Sequence, residues 1–104
     1  MQVLTLLEDI FDSLEKGKLT TIRKGRRDIK LGDLLFESVE TKRQELVYVI
    51  SVHYCRLADV PLDDLQNDGF IDHQDLAERM KRFYPDIILN DEVTVVKFEK
   101  VSER

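Results

Sequence analysis

The sequence predicts an α+β fold in which a small, partly open β-barrel has a helix at its N-terminus and further helices before its last strand. Three observations indicate this class: a helical pattern of apolar residues at the start, several β-branched segments after it, and a capped amphipathic segment late in the chain. A nearly closed sheet is expected because few strands in an open sheet would leave exposed edges. At 104 residues the chain can form one modest core, so residues 1–104 are expected to be a single domain.

The first half of the chain is expected to form a helix followed by two strands. Over residues 2–15 apolar side chains recur at helical spacing, and the helix is expected to end before Gly17. Residues 19–23 are rich in β-branched side chains and predict a short strand, and a turn at Gly32 leads to a strand over residues 33–39. The helix is expected to pack on the barrel through four apolar side chains: Leu7, Ile10, Phe11 and Leu14.

The second half contains the clearest strand, the segment ELVYVISVHYCRL. Both of its faces are apolar, which is typical of a central strand. Residues 61–66 predict a short helix and residues 73–83 a second one, with Asp72 at its N-cap and Asp75 placed as in a capping box. Residues 91–101 predict the last strand. Uninterrupted alternation along the clearest strand would place five side chains on one face: Val47, Val49, Ser51, His53 and Cys55.

Composition argues against several classes of protein. Cys55 is the single cysteine, so no intramolecular disulfide can form, which suits a reducing compartment. No apolar run approaches the roughly 20 residues of a membrane span, and the N-terminus lacks the basic start of a secretory leader. We therefore expect a cytoplasmic protein that contacts no membrane and is a monomer by default. No Cys/His spacing and no glycine-rich loop indicates a bound group, so no metal and no cofactor is expected.

Positive charge is concentrated in one segment of an otherwise acidic chain. Residues 16–30 carry seven basic side chains and one acid, a net charge of +6, whereas the remaining residues sum to −11 within a formal net charge of −5. One interpretation is a solvated surface of mixed charge. The other is an anion site, with the acidic remainder repelling indiscriminate polyanion binding. Four basic side chains are the candidates for ligand or nucleic-acid binding: Arg23, Lys24, Arg26 and Arg27.

One stretch is similar to the calcium-binding loop of an EF-hand. In residues 64–75, DLQNDGFIDHQD, acidic residues and Gly69 occupy several of the ligand and turn positions of that loop. Asp75 stands where a longer Glu usually completes the site, and Pro61 argues against a helix that enters the loop at Asp64. A turn followed by a capped helix is the simpler interpretation, and calcium binding is the third functional alternative.

Short motifs in a fixed order resemble the ASCH domain family, whose members are related to the PUA fold. The N-terminal helix is followed by Lys18, Thr21 and Arg23, then by a Gly32-Asp33 turn before a strand, and a late helix ends at Tyr84-Pro85. The resemblance covers essentially the whole chain. It is strongest to the small single-domain bacterial N4-acetylcytidine amidohydrolases, because the broader ASCH pattern has Glu at the position of Thr21.

The resemblance implies catalytic roles for Lys18, Thr21 and a Glu in the loop before the late helix. The best-placed carboxylate here is Asp68, which is one methylene shorter, and an alternative register puts Gly69 at that position. Amide hydrolysis would use Thr21 as nucleophile, with Lys18 either taking its proton or stabilising the oxyanion, and Asp68 orienting water. A regular strand would point residues 18 and 21 to opposite faces, so a shared site requires a turn near Gly17.

Two functional hypotheses follow. The first is a domain that binds RNA or a modified nucleoside in a cleft lined by residues 18–23, without chemistry. The second is an amidohydrolase that cleaves the amide bond of an acylated cytidine with Lys18, Thr21 and Asp68. The first is preferred because it does not depend on the missing Glu. The expected partner in both is RNA or a small nucleoside ligand.

Overall fold

A five-stranded mixed sheet forms a half-barrel in the computed structural model, which describes residues 2–6 and 20–101. Two short helices pack on the sheet, and the strand order is β1-β3-β4-β5-β2. β1 is parallel to β3, and the other neighbouring strands are antiparallel. The elements are β1 (Gln2–Leu6), β2 (Thr20–Lys24), β3 (Gly32–Ser38), β4 (Gln44–Arg56), a one-turn 3-10 helix (Leu57–Asp59), α1 (Leu62–Asn67), α2 (His73–Met80) and β5 (Glu92–Lys100).

The helix predicted over residues 2–15 is wrong at its start, because residues 2–6 form the edge strand β1. β1 pairs in register with β3, for example Val3 beside Leu35. Leu4 and Leu6 contribute to the core while Val3 is exposed, so side chains alternate as in a strand. In a segment this short, the same apolar residues also fit a helical spacing. Pairing with a neighbouring strand therefore decided the local structure. Residues 7–15, with the side chains expected to pack on the barrel, lie outside the described residues.

β4 is central, as predicted, but its two faces are not continuous. The pairing with β5 shifts register between Val49 and Ser51, which is a β-bulge at Ile50. Val49 and Val47 contribute to the same core as Val52, which uninterrupted alternation would place on the opposite face. The predicted assignment of five residues to one face is therefore wrong, because a bulge inserts one residue and reverses the alternation beyond it.

The sheet separates two apolar cores. We call the side of β5 that bears Val96 and Phe98 the barrel face, and the side that bears Val93 and Val95 the helix face. On the barrel face, the Phe36 and Phe98 rings meet edge to face at 5.0 Å. The core of the barrel face consists of Leu6, Ile29, Leu34, Phe36, Val47, Val49, Val96 and Phe98. The core of the helix face consists of Ile22, Leu57, Val60, Leu65, Leu76, Ala77, Met80, Ile87, Val93 and Val95.

α1 ends in a Schellman motif that determines where Asp68 lies. Gly69 has a φ of +91°, and its backbone N–H donates to the carbonyl of Gln66 at 3.0 Å. The next N–H, that of Phe70, donates to the carbonyl of Leu65 at 2.9 Å. The Phe70 side chain packs on the same core as Leu65. The motif thus reverses the chain immediately after Asp68 and anchors Phe70 beside it.

Gly69→Ala is expected to lower the free energy of unfolding by about 1 kcal/mol, because the left-handed backbone conformation is less stable by about that amount for a residue with a Cβ. A Cβ at this position would meet nothing within 4 Å, so the cost comes from the backbone alone. Gly69→Asn is the control, since Asn tolerates positive φ better and should lose less. Urea unfolding followed by circular dichroism measures both. Equal stability of the Ala variant and the wild type would contradict this role of Gly69.

α2 begins as the sequence predicted and ends earlier. Asp72 accepts a hydrogen bond from the backbone N–H of Asp75 at 2.8 Å, the expected N-cap. Asp75 accepts in turn from the backbone N–H of Ile71 at 3.0 Å. The helix ends at Met80, after which the N–H of Tyr84 donates back to the carbonyl of Met80 at 2.9 Å. The chain therefore makes one further turn over residues 81–83 before Tyr84.

The calcium-loop alternative does not fit the position of Asp64. This residue would be the first ligand, but it lies inside α1 and is 1% exposed. Its carboxylate contacts Lys97, with Nζ 2.8 Å from Oδ1. Within residues 2–6 and 20–101 no cluster of three metal-ligating side chains is found, and no helix there is long and apolar enough to cross a membrane.

Candidate functional site

A cavity of about 680 Å³ opens where the two edge strands, β1 and β2, approach each other. Thr5 and Leu6 of β1 form one side, and Thr21 and Arg23 of β2 form the next. α2 and the residues that follow it complete the wall, and Asp68 lies at the turn after α1. Three elements distant in sequence therefore meet at this cavity.

The Arg23 guanidinium bridges the two edge strands. Thr21 and Arg23 pair with Val96 and Thr94 across β2 and β5, so both point to the barrel face. Arg23 donates from Nη2 to the carbonyl of Thr5 at 3.1 Å and from Nε to Oγ1 of Thr21 at 3.4 Å. Thr21 is 4% exposed, so its hydroxyl lies at the base of the cavity. The half-barrel is thus linked at its open side by a cation.

Burial lowers the pKa of Arg23 from its ordinary value of 12.5, and this is the largest effect. Tyr84 and Asp68 raise the pKa, whereas the neighbouring charge of Arg27 lowers it. An arginine remains protonated at neutral pH under such changes. The cavity therefore has a permanent positive charge near its base.

The loop after β2 brings Arg27 to the same cavity. The Arg27 backbone N–H donates to Oγ1 of Thr94 at 2.8 Å, and this hydroxyl donates to the carbonyl of Gly25 at 2.7 Å. The hydroxyl of Tyr54 donates to the Arg27 carbonyl at 2.8 Å. The guanidinium then donates from Nη2 to the hydroxyl of Tyr84 at 3.2 Å. The hydroxyls of Tyr54 on β4 and Thr94 on β5 thus hold this part of the loop in one orientation.

The other basic residues of the predicted anion site lie elsewhere. Arg26 pairs with Glu92 at 3.2 Å, and its guanidinium lies 3.9 Å from the ring centre of Tyr54. Lys24 Nζ lies 4.0 Å from Asp91. Lys18, the predicted activator of the nucleophile, lies outside the described residues. Of the predicted site residues, the cavity brings together four: Thr21, Arg23, Arg27 and Asp68.

Aromatic and basic side chains from the region of α2 complete the cavity, and the sequence analysis did not identify them. Phe70, Phe83 and Tyr84 line it, with the Phe83 and Tyr84 ring centres 6.4 Å apart. Arg79 and Arg82 also line it, and Arg82 lies 5.5 Å from the ring centre of Phe83. The signal in the sequence was the segment RMKRFYP at the end of an amphipathic helix, in which three basic residues precede two aromatic ones.

The described lining has more positive than negative charge. Four arginines face two carboxylates, those of Asp68 and Glu78, a net charge of +2 in a protein of net charge −5. Exposed aromatic rings beside guanidinium groups can stack on a planar base and pair with an anion. The arrangement suits a planar ligand with a negative charge.

Comparison with known proteins shows the fold of this chain. No family model matches the sequence, and no curated protein matches it. The ASCH domain of Lactobacillus crispatus JV V101 superposes with a TM-score of 0.61 at 12% identity, over 95% of this chain and 78% of that one. A mutant of the ASCH protein ZmASCH from Zymomonas mobilis gives a TM-score of 0.68 at 10% identity, over 94% and 66%. A DUF984 protein from Enterococcus faecalis V583 gives 0.60 at 10%, over 85% and 63%.

The fold of this chain is therefore similar to that of ASCH domain structures, the fold that the sequence motifs indicated. All three similar structures are longer, and this chain spans about two thirds of the length of two of them. At identities of 10–12% the similarity shows the fold alone and does not indicate the ligand or the activity.

Proposed function

We propose that this domain binds RNA or a modified nucleoside in the cavity between β1, β2 and α2. The observation that carries the proposal is the meeting of three aromatic rings and four arginines around one cavity of about 680 Å³. Small-molecule sites commonly occupy about 300–1,000 Å³, which suits a single nucleotide. The rings of Phe70, Phe83 and Tyr84 would stack on the base, and the arginines would bind phosphate.

Charge distribution favours a short or single-stranded ligand. The net charge of −5 opposes general binding of polyanions, so attraction is limited to the cavity. Double-stranded nucleic acid does not offer separate bases for stacking, whereas loops, ends and free nucleosides do. The proposed partner is therefore an unpaired nucleotide, either free or within a single strand.

Amidohydrolase activity is the second candidate, and it rests on Thr21 and Asp68 lining the same cavity. Oγ1 of Thr21 accepts from Nε of Arg23 at 3.4 Å, so Arg23 orients the hydroxyl but cannot act as its base. Activation of Thr21 as a nucleophile would have to come from Lys18, as the family resemblance implies. Binding without hydrolysis needs no such step, which is why it is preferred.

Phe83→Ala is expected to weaken binding of a labelled single-stranded RNA about tenfold, since one stacked base contributes about 1–3 kcal/mol. Phe83 is 45% exposed, so its loss should leave the fold intact. Tyr48→Ala is the matched control, because Tyr48 is 46% exposed but does not line the cavity. Fluorescence anisotropy at fixed low salt measures both variants.

The same preparation should be incubated with N4-acetylcytidine. Binding without release of acetate supports the first candidate, and release of cytidine and acetate supports the second. Unchanged RNA affinity in Phe83→Ala, or an equal loss in Tyr48→Ala, would show that RNA does not bind in this cavity.

A further inference from the structure

We infer that the ligand of this cavity carries a terminal phosphate, a phosphate monoester bound jointly by Arg23 and Arg27. This inference rests on the proposed function and specifies its ligand class: a nucleoside monophosphate or the phosphorylated end of a strand, rather than a neutral nucleoside or an internal phosphodiester.

The hydrogen-bond acceptors around these two arginines favour an anionic ligand. In the described part of the chain, Arg23 donates to the Thr5 carbonyl and the Thr21 hydroxyl, and Arg27 donates from Nη2 to the Tyr84 hydroxyl. All of these acceptors are neutral, so these hydrogen bonds orient the guanidinium groups without pairing either of them with a carboxylate.

Other arginines of this protein have carboxylate partners. Arg26 pairs with Glu92, Arg56 with Asp59, and Arg79 with Asp75, at distances of 2.8–3.2 Å. An acidic protein of 21 Asp and Glu residues thus satisfies ordinary surface arginines with its own carboxylates. Arg23 and Arg27 line the cavity, as Arg79 does, but the acceptors named above for them are neutral, whereas Arg79 pairs with Asp75.

The two guanidinium charges also affect each other. Besides the larger effect of burial, the charge of Arg27 lowers the pKa of Arg23 by repulsion, and the Asp68 carboxylate raises it to a smaller extent. A single anion between them would offset this repulsion. A phosphate monoester carries a charge of about −1.5 to −2 at pH 7, and arginine forms bidentate hydrogen bonds to it.

The depth of the cavity at Thr21 favours the end of a ligand over its middle. Thr21, which accepts from Arg23, is 4% exposed, and the Arg23 guanidinium reaches the backbone of the opposite edge strand. A group that contacts Arg23 must therefore lie at the end of the ligand. An internal phosphodiester has one charge and two continuing chains, and both chains would have to leave the site past β1 and β2.

The test is calorimetric titration with three probes at low salt: cytidine, cytidine 5′-monophosphate and the dinucleotide CpC. We expect the monophosphate to bind at least tenfold more tightly than cytidine and more tightly than CpC. Arg27→Gln should remove most of this advantage, measured as the ratio of the monophosphate affinity to the cytidine affinity of the same variant. Arg26→Gln is the matched control, the same change at the adjacent residue, and should retain the advantage.

A pH series adds a second readout. The second pKa of a phosphate monoester is about 6, so lowering the pH from 7.5 to 5.5 protonates the ligand and should weaken its binding several-fold. Cytidine binding should change much less over the same range. A structural effect of Arg27→Gln would weaken all three probes alike at both pH values.

The outcomes separate the two proposals. Equal affinity for cytidine and its monophosphate would overturn the terminal phosphate and leave the nucleoside-binding proposal standing. Tighter binding of CpC than of the monophosphate would show that the site prefers an internal phosphodiester to a phosphate monoester. An equal loss in Arg26→Gln and Arg27→Gln would overturn the assignment of the phosphate to Arg23 and Arg27. Absence of binding by any nucleoside, nucleotide or RNA would overturn both proposals.

Discussion

Phe98→Ala is expected to lower the free energy of unfolding by about 3–5 kcal/mol, the usual cost of emptying an aromatic site in a core. Phe98 is 1% exposed, and its ring meets that of Phe36 edge to face at 5.0 Å. The substitution therefore leaves a cavity on the barrel face between β3 and β5. Native stabilities are about 5–15 kcal/mol, so the variant should be partly unfolded at moderate temperature.

Urea unfolding monitored by circular dichroism measures this loss. Phe83→Ala is the control of identical chemistry, because Phe83 is 45% exposed and its removal should cost less than about 1 kcal/mol. A similar loss in both variants would show that the barrel-face core does not dominate stability.

Lys97→Met is expected to cost about 2 kcal/mol, because it leaves the buried carboxylate of Asp64 without its nearest countercharge. Asp64 is 1% exposed, with the Lys97 ammonium 2.8 Å from Oδ1 and the imidazole of His53 3.8 Å from Oδ2. Lys97 and Asp64 form an ion pair, but their geometry does not meet that of a hydrogen bond. The cost is below the roughly 3–5 kcal/mol of fully buried pairs because the Lys97 side chain is 41% exposed and water screens it.

The control is Lys100→Met on the same strand. Lys100 pairs at 3.2 Å with Glu45, whose side chain is 34% exposed, so the loss should be below about 1 kcal/mol. The double variant Lys97→Met/Asp64→Asn should regain part of the stability, because no buried charge remains. Equal effects at Lys97 and Lys100 would mean that burial of Asp64 does not strengthen its pairing.

The position of this ion pair explains why its loss could also affect the cavity. Asp64 lies in α1, and Lys97 lies in β5, so the pair fixes the helix against the sheet. Asp68 and Phe70 follow directly after the end of this helix and line the cavity. Binding measured on Lys97→Met would thus report on the anchoring of this wall as well as on stability.

Local sequence patterns predicted most of the elements because their physical cause is local. Alternation predicted the strand over residues 91–101, observed as β5 from Glu92 to Lys100. The cap at Asp72 follows from a side-chain acceptor within reach of nearby backbone N–H groups. Residues 2–6 were ambiguous, because a five-residue apolar pattern satisfies both helical and strand periods.

The sequence by itself determined the fold class, the acidic character, the basic segment and the candidates Thr21, Arg23, Arg27 and Asp68. Tertiary structure decided which adjacent basic residues face the cavity. Thr94 and Tyr54 hold the backbone at Arg27, while Glu92 holds Arg26 on another surface. It also brought the residues of the segment RMKRFYP to the edge of β2 and inserted the bulge in β4. These outcomes depend on contacts between residues far apart in the chain, which no local pattern specifies.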